Sequence, residues 1–203
     1  MKLICVGRNY IDHARELNNA VPEEPVLFLK PETAIIPKRN PFFIPDFSSE
    51  VHHEIELVVR INKIGKHIAE KFAHKYYDEI TVGIDFTARD LQRKLKEKGL
   101  PWEKAKAFDG SACLGKFVSK EILEEKENLN FQLLKNGTAV QNGYSKDMIF
   151  SIDKLISYVS QFFTLKIGDL IFTGTPAGVS AVAKDDRLEG FLENQKLFTL
   201  NVK

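Results

Sequence analysis

Val51-His52-His53-Glu54-Ile55-Glu56-Leu57-Val58-Val59-Arg60-Ile61 reads as one β-strand, and the fold is worked out from it. Residues two apart on a strand point to one face, so Glu54 and Glu56 stand side by side, with His52 on the same face. Adjacent carboxylates repel and resist joint ionisation unless a cation lies between them. Taken alone, Glu-x-Glu is as a rule a solvated strand face. A second strand at Thr81-Val82-Gly83-Ile84-Asp85-Phe86-Thr87 changes the balance, because Asp85 is its only charge among apolar neighbours. A buried, unpaired carboxylate must be neutralised, paired or bound to a metal. Capping the helix that follows is an equally good use for Asp85. Three carboxylates without cysteine suit a hard cation such as Mg²⁺ or Mn²⁺. Zinc fits less well: HExxH is missing, and His52 and His53 cannot face one site from a straight strand.

Around these two strands lie many short ones. Residues 1–8 read as a buried strand stopping at Gly7, followed by a short helix over 9–19 with Asn9 as N-cap. Six of the eight prolines (Pro22, Pro25, Pro31, Pro37, Pro41 and Pro45) fall between residues 20 and 50 and predict a path of short strands and turns. A helix is expected from about Thr87, with Ala88, Leu91 and Leu95 on one face and a stop at Gly99. Asn136-Gly137 between residues 129–135 and 138–141 is a hairpin signal. Residues 151–163 predict a helix with Ser151 as N-cap and a Phe150–Leu155 staple. LKIGDLIFTG is a turn and a buried strand, and 196–203 a terminal strand. Strands that do not alternate regularly with helices point to a strand-rich α+β fold, and no internal boundary divides 1–203.

Composition narrows the function. Of 203 residues, 29 are Lys or Arg and 28 Asp or Glu, a balance that argues against an electrostatic nucleic-acid binder. No apolar run approaches a membrane span, and MKLICVGRNY has too short an apolar core for a signal peptide. The expectation is a cytoplasmic protein. Cys5 and Cys113 show no metal or disulfide spacing and read as buried thiols in a reducing compartment, with a free reactive thiol as the lesser alternative.

Other residues carry possible chemistry. His13 and Glu16 share a helix face, where a carboxylate can orient an imidazole and raise its basicity, although such pairs are commonly surface pairs. Lys30 and Lys106 sit among apolar residues and could meet a substrate carboxylate or enolate, but a lysine by default sends its ammonium to water. Arg8 follows a buried strand and could reach a pocket. Arg89 and Gln92 share a helix face that solvent would equally explain. Thr173-Gly174-Thr175-Pro176-Ala177-Gly178 offers hydroxyls and amides at a strand end, or is an ordinary turn. It lacks the Walker ending, no GxSxG occurs, and His53, His67 and His74 show no ligand spacing.

Taken in order, GRNYIDHARE (7–16), PVLFLKP (25–31), HHEIEL (52–57), DFTARDLQ (85–92), LPWEKAKAFD (100–109), MIFSI (148–152) and TGTPAGV (173–179) resemble the fumarylacetoacetate hydrolase family. The single-domain acylpyruvase and oxaloacetate decarboxylase branch is most similar. The resemblance implies a mixed β-sandwich roll, a homodimer and a Mg²⁺ or Mn²⁺ site. It implies Glu54, Glu56 and Asp85 as metal ligands, His13 and Glu16 as a dyad on a closing lid, and Lys106 facing the substrate. Gln92, Thr175, Arg8 and Arg89 would hold substrate oxygens, and Lys30 matches a pocket lysine. Family members often end in a glycine-rich strand pair, where this chain has EGFLENQKLFTLNVK.

The implied reaction is hydrolysis of a carbon–carbon bond in a 2,4-diketo acid, giving pyruvate and a carboxylic acid. His13 would activate the water and Lys106 balance the enolate charge. Oxaloacetate decarboxylation and an isomerisation with His13 as proton shuttle are alternatives at the same site. An inactive small-molecule-binding relative is the non-enzymatic one.

Overall fold

The strand expected over 51–61 is interrupted at Glu54. A computed structural model describes residues 1–16, 20–123 and 128–203. Its strands are β1 (Leu3–Gly7), β2 (Val26–Lys30), β3 (Val51–His53), β4 (Ile55–Ile61), β5 (Tyr77–Asp85), β6 (Thr87–Ala88), β7 (Ala112–Leu114), β8 (Val118–Ser119), β9 (Asn130–Lys135), β10 (Thr138–Tyr144), β11 (Leu170–Phe172), β12 (Ser180–Ala181), β13 (Arg187–Leu192) and β14 (Gln195–Asn201). The α-helices are α1 (Ile11–Glu16), α2 (Glu70–Ala73), α3 (Arg89–Glu97), α4 (Glu103–Lys106) and α5 (Ile152–Phe162).

A mixed sheet runs β2–β1–β11–β4–β5–β7, with β8 also on β5. Only the β1–β11 pair in it is parallel. An antiparallel sheet, β10–β9–β13–β14, forms the second layer, and β12–β3–β6 makes a small third sheet. This is the strand-rich α+β roll that the sequence predicts. The break at Glu54 lets β3 pair with β6 and β12 while β4 pairs with β5 and β11.

Both faces of the mixed sheet are covered. Ile55, Leu57, Val59 and Ile61 of β4 join Ile80, Val82 and Ile84 of β5 in the larger core, together with Phe131, Leu133, Leu188 and Leu200 of the second sheet. Each such side chain contributes roughly 1.5–3 kcal/mol on full burial. Val58 faces the other way, into a smaller core with Leu3, Cys5, Ala112, Leu170 and Phe172. Glu56 shares that second face by strand alternation.

Local signals act as expected in two places. Asn136 and Gly137 take positive φ (54° and 82°) between β9 and β10, as a two-residue hairpin with right-handed strands demands. The Ser151 hydroxyl accepts from the Lys154 amide at 3.2 Å, capping α5, and Phe150 and Leu155 share one cluster. Asn9 differs from expectation. Its amide nitrogen donates to Phe150 O and Thr173 O, and its oxygen accepts from Phe150 N, so it ties β1 to distant loops instead of capping α1. Residues 17–19 of the expected helix lie outside the described residues. Leu91 and Leu95 of α3 are only half-buried, while Arg89 and Gln92 are buried. The tail forms the β13–β14 hairpin. Cys5 and Cys113 are free and buried, and burial pushes the Cys113 thiol up to about 12, which makes it unreactive. Among the described residues no helix is long and apolar enough to cross a membrane.

Candidate active site

Strand register builds the acidic centre. β4 and β5 pair Glu56 with Gly83 and Ile55 with Ile84, and the Asp85 amide donates to the Glu54 carbonyl at 2.9 Å. Glu54 therefore lies opposite Asp85, and all three carboxylates project from one face of the sheet. Oxygens from Glu54, Glu56 and Asp85 lie within 4.8 Å of one another, and all three residues are buried. Asp85 caps nothing: α3 begins at Arg89, with Ala88 at the cap position. His52 sits apart, bonded to Glu50 at 2.8 Å and approached by Arg89.

Three buried cations meet this cluster. Lys106 Nζ donates to Glu54 Oε2 at 2.9 Å, Asp85 Oδ2 at 2.7 Å and Thr87 Oγ1 at 2.6 Å. Arg89 pairs with Glu54 Oε1 and donates to Gln92 Oε1 at 2.6 Å. Lys30 Nζ lies 2.7 Å from Asp85 Oδ1, off the line of a hydrogen bond, and donates to Ser111 O at 3.0 Å and Ser111 Oγ at 2.9 Å. Solvated lysine heads and a solvated Arg89–Gln92 face are thus both corrected. The ammoniums stay inside because the carboxylates, carbonyls and hydroxyls there replace water.

Burial opposes ionisation of Glu54, but Lys106 and then Arg89 outweigh it and hold its carboxyl well below the usual range. Glu56 goes the other way: burial first, then Asp85 and Glu54, push it well above. Among the described residues Glu56 has no cationic side-chain partner, and its Oε2 accepts only from the Gly174 amide, at 2.7 Å. A hard divalent cation fits this donor set, three oxygens of which one is short of positive charge.

His13 Nδ1 lies 3.4 Å from Glu16 Oε2 on α1. The Gly178 amide anchors Glu16 at 3.2 and 3.3 Å. His13 is itself buried, and burial lowers its pKa, only partly offset by Glu54 and Glu16, so the imidazole is neutral at neutral pH. In the TGTPAG loop the Thr173 hydroxyl donates to Leu57 O at 3.1 Å and the Gly174 amide to Glu56, which leaves Thr175 as the hydroxyl at the cleft. Gly174 has φ +97°, and a Cβ there would lie 2.7 Å from that of Asn9, so the turn requires glycine.

These groups border one cleft with about 420 Å³ of empty space, part of it open to solvent. Every site residue expected from sequence lines it except Glu16, which stands behind His13, and Lys30. Lys30 lies directly behind the cleft wall, buried against Asp85. Sequence reasoning missed Lys96, Trp102 and Phe28 on the walls and the Gln141–His53 pair behind Thr175. Phe28 and Trp102 stand within the PVLFLKP and LPWEKAKAFD segments, and Lys96 lies one helical turn beyond Gln92.

A model of the fumarylacetoacetate hydrolase C-terminal family matches residues 2–201. The chain is 45% identical over 199 residues to oxaloacetate tautomerase YcgM of Escherichia coli, covering 98% of this chain and 91% of that protein. It is 43% identical over 201 residues to human mitochondrial oxaloacetate tautomerase FAHD1, covering 99% and 91%. A crystal structure of fumarylpyruvate hydrolase from Pseudomonas aeruginosa with Mn²⁺ and pyruvate matches with a TM-score of 0.93 at 36% identity, over 100% of this chain and 89% of that one. With a matched family model spanning nearly its whole length and enzymes as its relatives, the chain is an enzyme of the fumarylacetoacetate hydrolase family.

Proposed function

We propose that this chain catalyses keto–enol tautomerisation of a short 2-oxo dicarboxylic acid, with oxaloacetate as the expected substrate. The observation that carries this reading is near-full-length identity of 45% and 43% to oxaloacetate tautomerases. Glu54, Glu56 and Asp85 would hold Mg²⁺ or Mn²⁺, which when bound supplies positive charge to the carboxylate and 2-oxo group of the substrate. The rest of the chemistry belongs to side chains. With Nδ1–H donated to Glu16, His13 keeps Nε2 free to take the proton from C3 and pass it to the 2-oxygen, giving the enol, and in the other direction to take it from that oxygen and return it to C3. The Lys106 ammonium, whose pKa Asp85 and Glu54 raise against the opposing effect of burial, stays charged where enolate charge develops. The Thr175 hydroxyl and Gln92 amide hold substrate oxygens.

A second reading, hydrolysis of the carbon–carbon bond of an acylpyruvate with His13 activating water, is supported by the likeness to fumarylpyruvate hydrolase. Oxaloacetate decarboxylation would use the same enolate without water. One assay separates the three. Enol-enriched oxaloacetate and a series of acylpyruvates are offered with Mg²⁺ or Mn²⁺, and enol absorbance and pyruvate are followed separately. Tautomerisation predicts rapid loss of enol without pyruvate. Pyruvate from oxaloacetate identifies a decarboxylase, and pyruvate from an acylpyruvate a hydrolase. We further take residues 1–203 as a single catalytic domain of a cytoplasmic homodimer. Light scattering on the eluting protein should give twice the chain mass of 23.1 kDa.

A further inference from the structure

Arg89, Gln92 and Lys96 occur at i, i+3 and i+7 along α3 and form one stripe facing the cleft. The first two are engaged: Arg89 with Glu54 and Gln92, and Gln92 with Arg89. Lys96, one turn further out, is half-buried, with Nζ 5.3 Å from the centroid of the Trp102 ring. Among the described residues it has no carboxylate partner. Arg8, on the same cleft, sits in the left-handed region at φ 62°, uncommon for a residue other than glycine, and its Nε is buried without an acceptor.

The cleft's cations therefore fall into two groups. Lys106 and Arg89 neutralise the acidic cluster, while Lys96 and Arg8 have no ion-pair partner among the described residues. A lysine with no anion partner ordinarily points its head to water, yet this one lies against an aromatic wall. Burial first, and then Arg8, Arg89 and Lys106, lower the Lys96 pKa to about 8, a crowding of positive charge that a bound anion would relieve. A 2-oxo acid whose first carboxylate met a divalent ion held by Glu54, Glu56 and Asp85 would leave its far end to be read by the rest of the cleft.

We propose that Lys96, together with Arg8, forms an anion subsite for the distal carboxylate of a dicarboxylic 2-oxo acid, so that Lys96 determines the preference for dicarboxylic over monocarboxylic substrates. This rests on the reading of the site as one for 2-oxo acids. A lysine supplies a movable point charge and Arg8 a planar fork, a pair suited to a carboxylate on a flexible chain.

The test compares the wild type with Lys96→Met and Lys96→Arg. Methionine keeps the length and helix propensity of lysine without its charge. Calorimetry with Mn²⁺ present measures binding of malate and lactate, unreactive 2-hydroxy acids with and without a second carboxylate. In parallel, turnover of oxaloacetate enol is compared with that of its 4-methyl ester. Wild type should bind malate about tenfold or more tighter than lactate; Lys96→Met should erase that margin with lactate unchanged, and Lys96→Arg should keep most of it. The oxaloacetate-to-ester ratio of kcat/KM should collapse in parallel. Equal losses for both ligands in Lys96→Met, an unchanged ratio, or no malate preference in the wild type would overturn the subsite. If wild type turns over neither compound but malate preference still depends on Lys96, the subsite stands and the tautomerase reading falls.

Discussion

Gln141 donates from Nε2 to Thr175 Oγ1 at 2.9 Å and so decides which way the Thr175 hydroxyl can point. The orientation of that amide is unambiguous, because its Oε1 accepts from the Ile55 backbone amide at 3.0 Å, a group that can only donate. The same oxygen accepts from His53 Nδ1 at 2.8 Å, which places the His53 proton on Nδ1 and leaves Nε2 to accept from Ser180 Oγ, also at 2.8 Å. With the acceptor side of Thr175 met from behind, its O–H is left to donate into the cleft. Gln141→Glu presents only acceptors, so the hydroxyl should turn back toward the carboxylate. The expected loss is about 10²-fold in kcat, shared by Thr175→Val and not multiplied in the double variant. Steady-state kinetics of the three proteins checks this, and additive losses would break the link.

His53 also makes a stability prediction. Burial, the largest influence, lowers its pKa to about 4, despite the opposing bond from Gln141. The unfolded chain, with a histidine near 6.5, then binds more protons than the folded one between pH 6.5 and 4, so stability falls as pH falls through that window. At about 1.36 kcal/mol per pKa unit, the loss by the acid end is on the order of 3 kcal/mol. Urea unfolding should show this slope in the wild type and a flatter one in His53→Gln.

His13→Asn should reduce kcat by about 10²–10⁴-fold while leaving Mn²⁺ affinity within about twofold. The wild-type acid limb of kcat/KM should fall below the ordinary histidine pKa, since burial dominates the shift. Glu16 raises the His13 pKa, so Glu16→Gln should move that limb to still lower pH as well as slowing the reaction. A limb that stays put in Glu16→Gln would remove His13 as its source.

Lys30 is 1% exposed, and its charge faces Asp85. Lys30→Met should cost about 3–5 kcal/mol, because it leaves a buried carboxylate without one of its partners. Chemical denaturation measures it. A loss below about 1 kcal/mol would mean that Lys106 alone suffices for Asp85.

Local rules were legible where one residue type answers one backbone need. Asn136-Gly137 supplies two positive φ values, and Ser151 supplies a cap. The pairing of Glu54 with Asp85 was half-legible: each carboxylate stood out on its strand, but the register that brings them together is tertiary. Lys30, Lys106 and Arg89 could not be placed inside from residue type alone, since their burial depends on carboxylates distant in sequence. The Gln141–His53 pair is separated by 88 residues, with nothing local to mark it. Lys96 shares its stripe with Arg89 and Gln92, but a polar helix stripe looks the same whether it faces solvent or a cleft.

Titration of Mn²⁺ into EDTA-treated protein, followed by the loss of free-ion paramagnetic resonance signal, tests the acidic centre most directly. The prediction is one saturable site per chain in the wild type, weakened by about 10²-fold or more in Asp85→Asn and in Glu56→Gln, with Mg²⁺ competing for it. Absence of a saturable site in the folded wild-type protein, or wild-type affinity retained in both variants, would contradict a divalent ion held by Glu54, Glu56 and Asp85.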